Sequence, residues 1–164
     1  MIISNLPPFQ KNVTCAVTGH REIFSDMDCE KLKKDFLEII KKGFSLFLVG
    51  MAKGFDLLCF NILLELKKEN SDIKICAVIP CAEQEKYYSS NEKEEYYNFL
   101  EQADFIAKEE KPYFKGCMLK RNDYMLENCS LLYAYYKETG RGGTLYTING
   151  AKKRQISILK YGEI

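Results

Sequence analysis

Three short stretches of the chain carry residue types suited to holding an anion. The first is Thr18-Gly19-His20-Arg21. Its glycine admits a ligand to the backbone, its threonine can donate a hydroxyl bond, and its arginine can grip a phosphate or carboxylate with two parallel N–H bonds. An ordinary strand-to-helix turn with a solvent-facing arginine is the other reading of the same four residues. His20 is the only histidine. Imidazole acid–base chemistry would therefore have to come from it, and a hydrogen-bonding or stacking role is the simpler one.

The second stretch is Gly50-Met51-Ala52-Lys53-Gly54-Phe55-Asp56, where an apolar run stops at a glycine and a second glycine opens a helical segment. The free N–H groups at such a helix start favour phosphate or carboxylate. Lys53 reads equally as a phosphate contact or a solvated cation, and Asp56 as a ribose contact or a helix cap. The spacing fits neither G-x-G-x-x-G nor a Walker sequence, so the usual NAD and P-loop readings fail. The third stretch, Gly140-Arg141-Gly142-Gly143-Thr144, is the most specific. Adjacent glycines ahead of a helix present successive N–H groups as an anion nest, and Thr144 can cap or donate; a flexible loop is the alternative. Arg121-Asn122 adds a cation and an amide on a later helix, where a solvated face is the default for charge. A site built from these turns comprises Thr18, Gly19, His20, Arg21, Gly50, Met51, Ala52, Lys53, Gly54, Asp56, Arg121, Asn122, Gly142, Gly143 and Thr144.

Where these turns sit in the fold follows from the apolar pattern. A chain of 164 residues, 46% hydrophobic, is the size of one domain with a substantial core. Residues 1–12, with Pro7 and Pro8, read as an irregular arm, and residues 13–164 as one Rossmann-like domain. Strands are expected at Cys15–Thr18, 44–49, Ile73–Ile79, Phe105–Ala107, Leu131–Tyr135 and Ile156–Leu159, and helices at 29–42, 56–69, 91–102, 117–128 and one opened by the turn Thr139–Thr144 and running to about Arg154. Such alternation predicts an α/β fold, three-layer α/β/α, with a mostly parallel sheet. All three glycine turns then fall at the carboxyl edge of the sheet, where ligands bind in open α/β sheets. The helix at 56–69 is apolar around much of its circumference, which implies burial against the sheet and a neighbour and leaves room for a homodimer.

Composition narrows the partners. With 24 basic and 23 acidic residues, the net charge of +1 gives no general polyanion surface, so nucleic acid is not expected. Seven cysteines without C-x-x-C spacing, beside one histidine, make no common zinc set and read as reduced core thiols. No metal and no cofactor is expected. The sequence starts without a charged segment and apolar stretch of signal type, and no run approaches 18 apolar residues, so the expectation is a cytoplasmic protein with no membrane contact.

Taken together, Val17-Thr18-Gly19-His20-Arg21, Gly50 to Asp56, Arg121-Asn122, and Gly142-Gly143-Thr144 with Ala151-Lys152-Lys153 resemble the YoqJ/YpsA-like branch of the SLOG superfamily, over residues 13–160. Gly50 to Asp56 is also similar to the G-x-A-x-G-x-D turn of DprA. The superfamily includes DprA, a DNA-processing protein, and the lonely-guy phosphoribohydrolases, which release a base from a nucleoside monophosphate. What the resemblance implies is a Rossmann-like fold that binds a nucleotide or nucleotide-derived ligand in the bacterial cytoplasm. Lonely-guy enzymes carry P-G-G-x-G-T-x-x-E, whose glutamate works in glycosidic cleavage. Here Gly143-Thr144 match, but Leu145 is followed by Tyr146 and Thr147, so that carboxylate is missing.

Three functions compete. The first is a nucleotide-binding sensor or regulatory module. The second is a nucleotide hydrolase of the N-glycosidase type, with Glu83, Asp56 or Glu138 as substitute acid or base. The third is DprA-like single-stranded nucleic-acid binding, which the balanced charge disfavours.

Overall fold

Stretches of apolar residues bounded by glycine and polar turns give the strands, and amphipathic segments between them give the helices. A computed structural model describes residues 10–163 and the backbone of residues 2–3. Its strands are β1 (Ile2–Ile3), β2 (Thr14–Gly19), β3 (Leu46–Val49), β4 (Lys74–Ile79), β5 (Phe105–Lys108), β6 (Leu131–Tyr135) and β7 (Ser157–Lys160). Its helices are α1 (Cys29–Lys41), α2 (Phe55–Lys67), α3 (Ser90–Gln102), α4 (Cys117–Glu127) and α5 (Gly143–Lys153). Local chemistry sets several helix starts. The Asp28 carboxylate accepts from the Glu30 N–H at 2.9 Å, and Ser89 with Glu92 forms a reciprocal capping box ahead of α3.

The sheet runs in the order β1-β5-β4-β3-β2-β6-β7. Strands β2 to β7 are mutually parallel, and β1 adds an antiparallel edge beside β5, with Ile2 opposite Lys108. From β2 the chain steps outward through β3, β4 and β5, then returns to the other side of β2 to lay down β6 and β7. The direction of winding therefore reverses between β2 and β6, where Gly19 is paired with Tyr135. Connections on either side diverge at that point and leave a crevice beyond the carboxyl ends of the two strands.

Side chains alternate across the sheet. Val17, Phe47, Val49, Ile75 and Tyr133 meet α1, α2 and α3 on one face; Ala16, Leu48, Cys76, Val78 and Leu132 meet α4 and α5 on the other. Helix α2 lies between α1 and α3 as well as against the sheet, and Phe60 stacks on Phe99 of α3 with ring centroids 4.8 Å apart. Its wide apolar surface is thus covered by the chain's own helices, and the homodimer loses the argument drawn from that surface.

The irregular arm expected over residues 1–12 lies largely outside the described residues. Within it, Ile2–Ile3 pairs with β5 and Lys11–Val13 makes one 3₁₀ turn. All seven cysteines are free thiols, six buried and Cys29 exposed. Among the described residues no helix is long and apolar enough to cross a membrane, and no group of three or more His, Cys, Asp or Glu side chains is arranged to hold a metal.

Candidate functional site

The three glycine turns and α4 meet at the crevice between β2 and β6. They enclose a cleft of about 800 Å³. Thr18, Gly19, His20 and Arg21 line it from the end of β2, and Ala52 and Asp56 from the connection into α2. Arg121 and Asn122 enter from α4, and Gly142, Gly143 and Thr144 from the start of α5. Gly50, Met51, Lys53 and Gly54, although in the same turn as Ala52, do not line it.

The reason lies in packing. A β-carbon at Gly50 would stand 2.5 Å from Arg121 Nη1, and one at Gly54 would stand 2.5 Å from the Arg21 carbonyl carbon. Gly54 also has φ of 87°, a conformation that L side chains rarely adopt. Gly19 does line the cleft, yet its missing side chain makes room for the Phe55 ring, whose Cγ would be 2.5 Å from a β-carbon. These three glycines let turn, helix and strand approach one another, which replaces the expected role of ligand approach at Gly50 and Gly54. Met51 turns inward despite φ of 61°: its side chain is fully buried and its carbonyl accepts from the Tyr88 hydroxyl at 2.9 Å. Lys53 borders an adjoining compartment instead.

Arg121 is buried, at 5% exposure, where a solvated helix face was expected. Its Nη1 donates to the carbonyls of Gly50 and Val78, so one guanidinium ties together the carboxyl ends of β3 and β4. Its Nε donates to Asn122 Oδ1 at 2.8 Å. That bond fixes the amide, because an N–H can only meet the oxygen, and leaves Asn122 Nδ2 toward Gly143, where a β-carbon would be 3.9 Å away. Gln84 donates to the same Gly50 carbonyl at 3.0 Å. Burial pulls the Arg121 guanidinium below its ordinary pKa, opposed by the neighbouring Asp56.

Asp56 is likewise buried, and its Oδ2 accepts from the Ala52 N–H at 3.1 Å. Burial pushes the carboxyl up to about 6, while Arg121, the Ala52 N–H and Arg21 draw it back toward the ionised form. A carboxyl so placed can exchange a proton near neutral pH.

His20 serves the architecture. Its Nε2 accepts from the Lys137 N–H at 2.8 Å, which puts the imidazole proton of the neutral ring on Nδ1. The ring stands edge-on to Phe24 at 5.6 Å and Tyr135 at 6.0 Å. His20 therefore clips the turn after β2 to the segment after β6, in the hydrogen-bonding and stacking role read from its position.

What remains open in the cleft is a set of donors. Gly142, with φ of 99°, precedes α5 and provides no side-chain cap, so the first N–H groups of that helix face the cleft unsatisfied by a cap. Among the described residues, the Arg21 guanidinium, Asn122 Nδ2 and the hydroxyls of Thr18 and Thr144 make no protein hydrogen bond. Arg141 brings a second exposed cation, and Phe24, Met118 and Met125 supply apolar wall. Sequence reasoning quoted Arg141 within the glycine motif but did not count it in the site. Phe24 and Met118 had no local signal, since both sit in loops or on a helix whose orientation only the tertiary fold sets.

The family model described as the YspA SLOG family matches residues 15–161. A UPF0398 protein of Halalkalibacterium halodurans is 28% identical over 125 residues, covering 75% of this chain and 66% of that protein. The UPF0398 protein YpsA of Bacillus subtilis is 26% identical over 126 residues, covering 76% and 70%. Among solved structures, DNA processing protein A (DprA) from Streptococcus pneumoniae superposes with a TM-score of 0.66 at 22% identity, covering 92% of this chain and 50% of that one. DprA from Helicobacter pylori, whose structure was solved for its single-stranded DNA binding mode, superposes with a TM-score of 0.70 at 17% identity, covering 96% and 69%. At these identities the likeness to DprA establishes a shared fold. The chain spans half the length of the pneumococcal protein and about two-thirds of the first UPF0398 relative.

Proposed function

The chain belongs to the YspA SLOG family, and from that premise we propose that its cleft binds a nucleotide or nucleotide-derived ligand by its phosphate, as a sensor or regulatory module. The observation that carries this reading is the convergence of unpaired donors on one cleft. The uncapped start of α5, Asn122 Nδ2, the Thr18 and Thr144 hydroxyls and the Arg21 guanidinium can together surround an anion, and Arg141 adds charge at the rim. The sensor role draws support from the position where lonely-guy enzymes carry glutamate. Here it is Thr147, a fully buried hydroxyl that donates to the Gly143 carbonyl at 2.8 Å and offers no acid. Mass spectrometry of small molecules released on denaturing the purified protein tests the reading, followed by incubation with the identified nucleotide. An unchanged nucleotide supports a sensor; absence of any nucleotide, with none bound when added back, contradicts it.

One observation favours a hydrolase as the second reading: Asp56 lines the cleft with its carboxyl pushed up to about 6. Of the other substitute carboxylates, Glu83 borders the adjoining compartment and Glu138 borders neither. Release of free base or ribose phosphate by the wild type, abolished in Asp56→Asn, would establish that reading. For single-stranded nucleic acid, the support is the binding mode studied in the Helicobacter pylori relative. It weighs against the expectation, drawn from balanced charge alone, that nucleic acid is no partner. Binding that falls steeply with salt would mark it.

A further inference from the structure

A second compartment, about 650 Å³, adjoins the phosphate cleft and shares Arg21, Ala52 and Met118 with it as a common wall. Its far side is aromatic. Tyr87, 86% exposed, and Tyr113, 69% exposed, stand on loops that follow β4 and β5, and Tyr88 lies between them and the turn into α2. Tyr88 is held in place, donating to the Met51 carbonyl at 2.9 Å and meeting the Tyr96 ring edge-on at 5.8 Å. Among the described residues, neither exposed tyrosine makes a hydrogen bond. Large aromatic side chains gathered around one hollow, uncovered by the chain's own elements, mark a surface that gains from covering by a flat apolar group.

We infer that this compartment receives the base of a free nucleotide whose phosphate lies in the adjoining cleft, with Tyr87 and Tyr113 as stacking faces. The inference rests on the phosphate-binding reading of the cleft and adds which end of the ligand is read where. Continuity is the main argument: a phosphate at the start of α5 and a base between the tyrosines require a linking group that passes the common wall. Arg21 stands there without an ion pair or hydrogen bond among the described residues. A pentose and its phosphate suit that position. Lys53 and Lys86 also border the compartment, so a second phosphate is the occupant to be distinguished from a base. Lys86 Nζ stands 5.6 Å from the centroid of the Tyr87 ring and occupies one of its faces, which leaves the opposite face for stacking.

The test is calorimetric titration of the whole chain with the 5′-diphosphates of adenosine, guanosine, cytidine and uridine, and with ribose 5-phosphate. Wild type is compared with Tyr87→Ala, Tyr113→Ala and Tyr113→Phe. Loss of one stacking face should weaken the tightest nucleotide by about fivefold or more, by the scale of base–aromatic stacking. Tyr113→Phe should restore it, since the ring and not the hydroxyl is used, and ribose 5-phosphate should bind all four proteins alike. Equal weakening of nucleotide and ribose 5-phosphate, or no weakening of either, would overturn the inference while leaving the phosphate cleft standing. Wild type binding none of these ligands would overturn the phosphate reading itself, and this inference with it. Oligothymidylate binding in place of the diphosphates would overturn the assignment to a free nucleotide.

Discussion

Gly50 and Arg121 occupy one another's space: a β-carbon on Gly50 would stand 2.5 Å from Arg121 Nη1, and that nitrogen donates to the Gly50 carbonyl. A residue at the end of β3 thus exists as glycine because a guanidinium 71 positions later lies against it. Gly50→Ala should dislodge Arg121 from the carbonyls of Gly50 and Val78 and leave Asp56 without its buried counter-charge. The expected cost is about 3 kcal/mol, the scale for breaking one side of a buried charged network. Arg121→Lys should cost a comparable amount, because an ammonium lacks the fork that reaches both carbonyls and Asn122 together. Urea denaturation checks both; midpoints matching wild type would show that the tie between β3 and β4 is unimportant.

Asp56 should give the fold a particular pH signature. Burial holds its carboxyl at about 6, above the ordinary 3.8. The folded chain therefore keeps the proton to higher pH than the unfolded chain does, so the contribution is full below about pH 4 and is lost as pH rises through 6. Wild type should lose about 3 kcal/mol relative to Asp56→Asn between pH 4 and pH 7. Denaturation series for the two proteins would show the gap opening in favour of the Asn variant as pH rises. Parallel curves would mean that Asp56 titrates in the ordinary carboxylate range.

Gly54 and Gly143 head helices on opposite faces of the sheet and should respond oppositely to alanine. At Gly54 the new methyl meets the Arg21 backbone and the backbone has positive φ, so Gly54→Ala should be severely destabilised, by about 3 kcal/mol or more. At Gly143 the nearest atom is Asn122 Nδ2, 3.9 Å away, and Gly143→Ala should fold with a melting temperature near that of wild type. Thermal melts followed by circular dichroism separate the two cases, and a Gly54→Ala protein as stable as wild type would refute the packing account of that turn.

Arg21 is exposed and makes no ion pair or hydrogen bond among the described residues, so its removal should act chiefly on binding. Arg21→Ala should weaken any phosphate-containing ligand by about tenfold, the scale of a charge-assisted hydrogen bond, with only a small change in the urea midpoint through the lost attraction to Asp56. Unchanged affinity in a titration would remove Arg21 from the site.

The elements were legible because their signals are local. Continuous apolar residues at 46–49, 75–79 and 131–135, the first ended by glycine and the second by proline, gave strands within two residues of those observed, and the glycine turn at 139–144 marked the start of α5. The convergence of the glycine turns was legible too, because parallel strands place every strand-to-helix turn on one edge. Arg121 was not. Its partners are carbonyls of strands 71 and 43 positions away, and nothing in Lys120-Arg121-Asn122 distinguishes a buried guanidinium from a solvated one. Nor does a sequence separate a glycine needed for close packing, as at Gly50, from one needed for a ligand, as proposed at Gly143: both lack a β-carbon, and only the neighbours tell which atom takes the space. Met51 went the same way, since a methionine with positive φ has no signature. The tyrosines at 87 and 113 drew no reading from the sequence, because each lies in a loop whose partner across the compartment is distant in the chain.

Titration of one nucleoside diphosphate into wild type and Gly143→Ala decides whether the α5 end of the cleft holds the phosphate of a nucleotide. The methyl group would project beside Asn122 Nδ2, where the phosphate is placed. Saturable binding at one site per chain in wild type is expected, weakened at least about tenfold in a variant with an unchanged urea midpoint. Equal affinity in the two proteins would contradict it and move the ligand away from the start of α5.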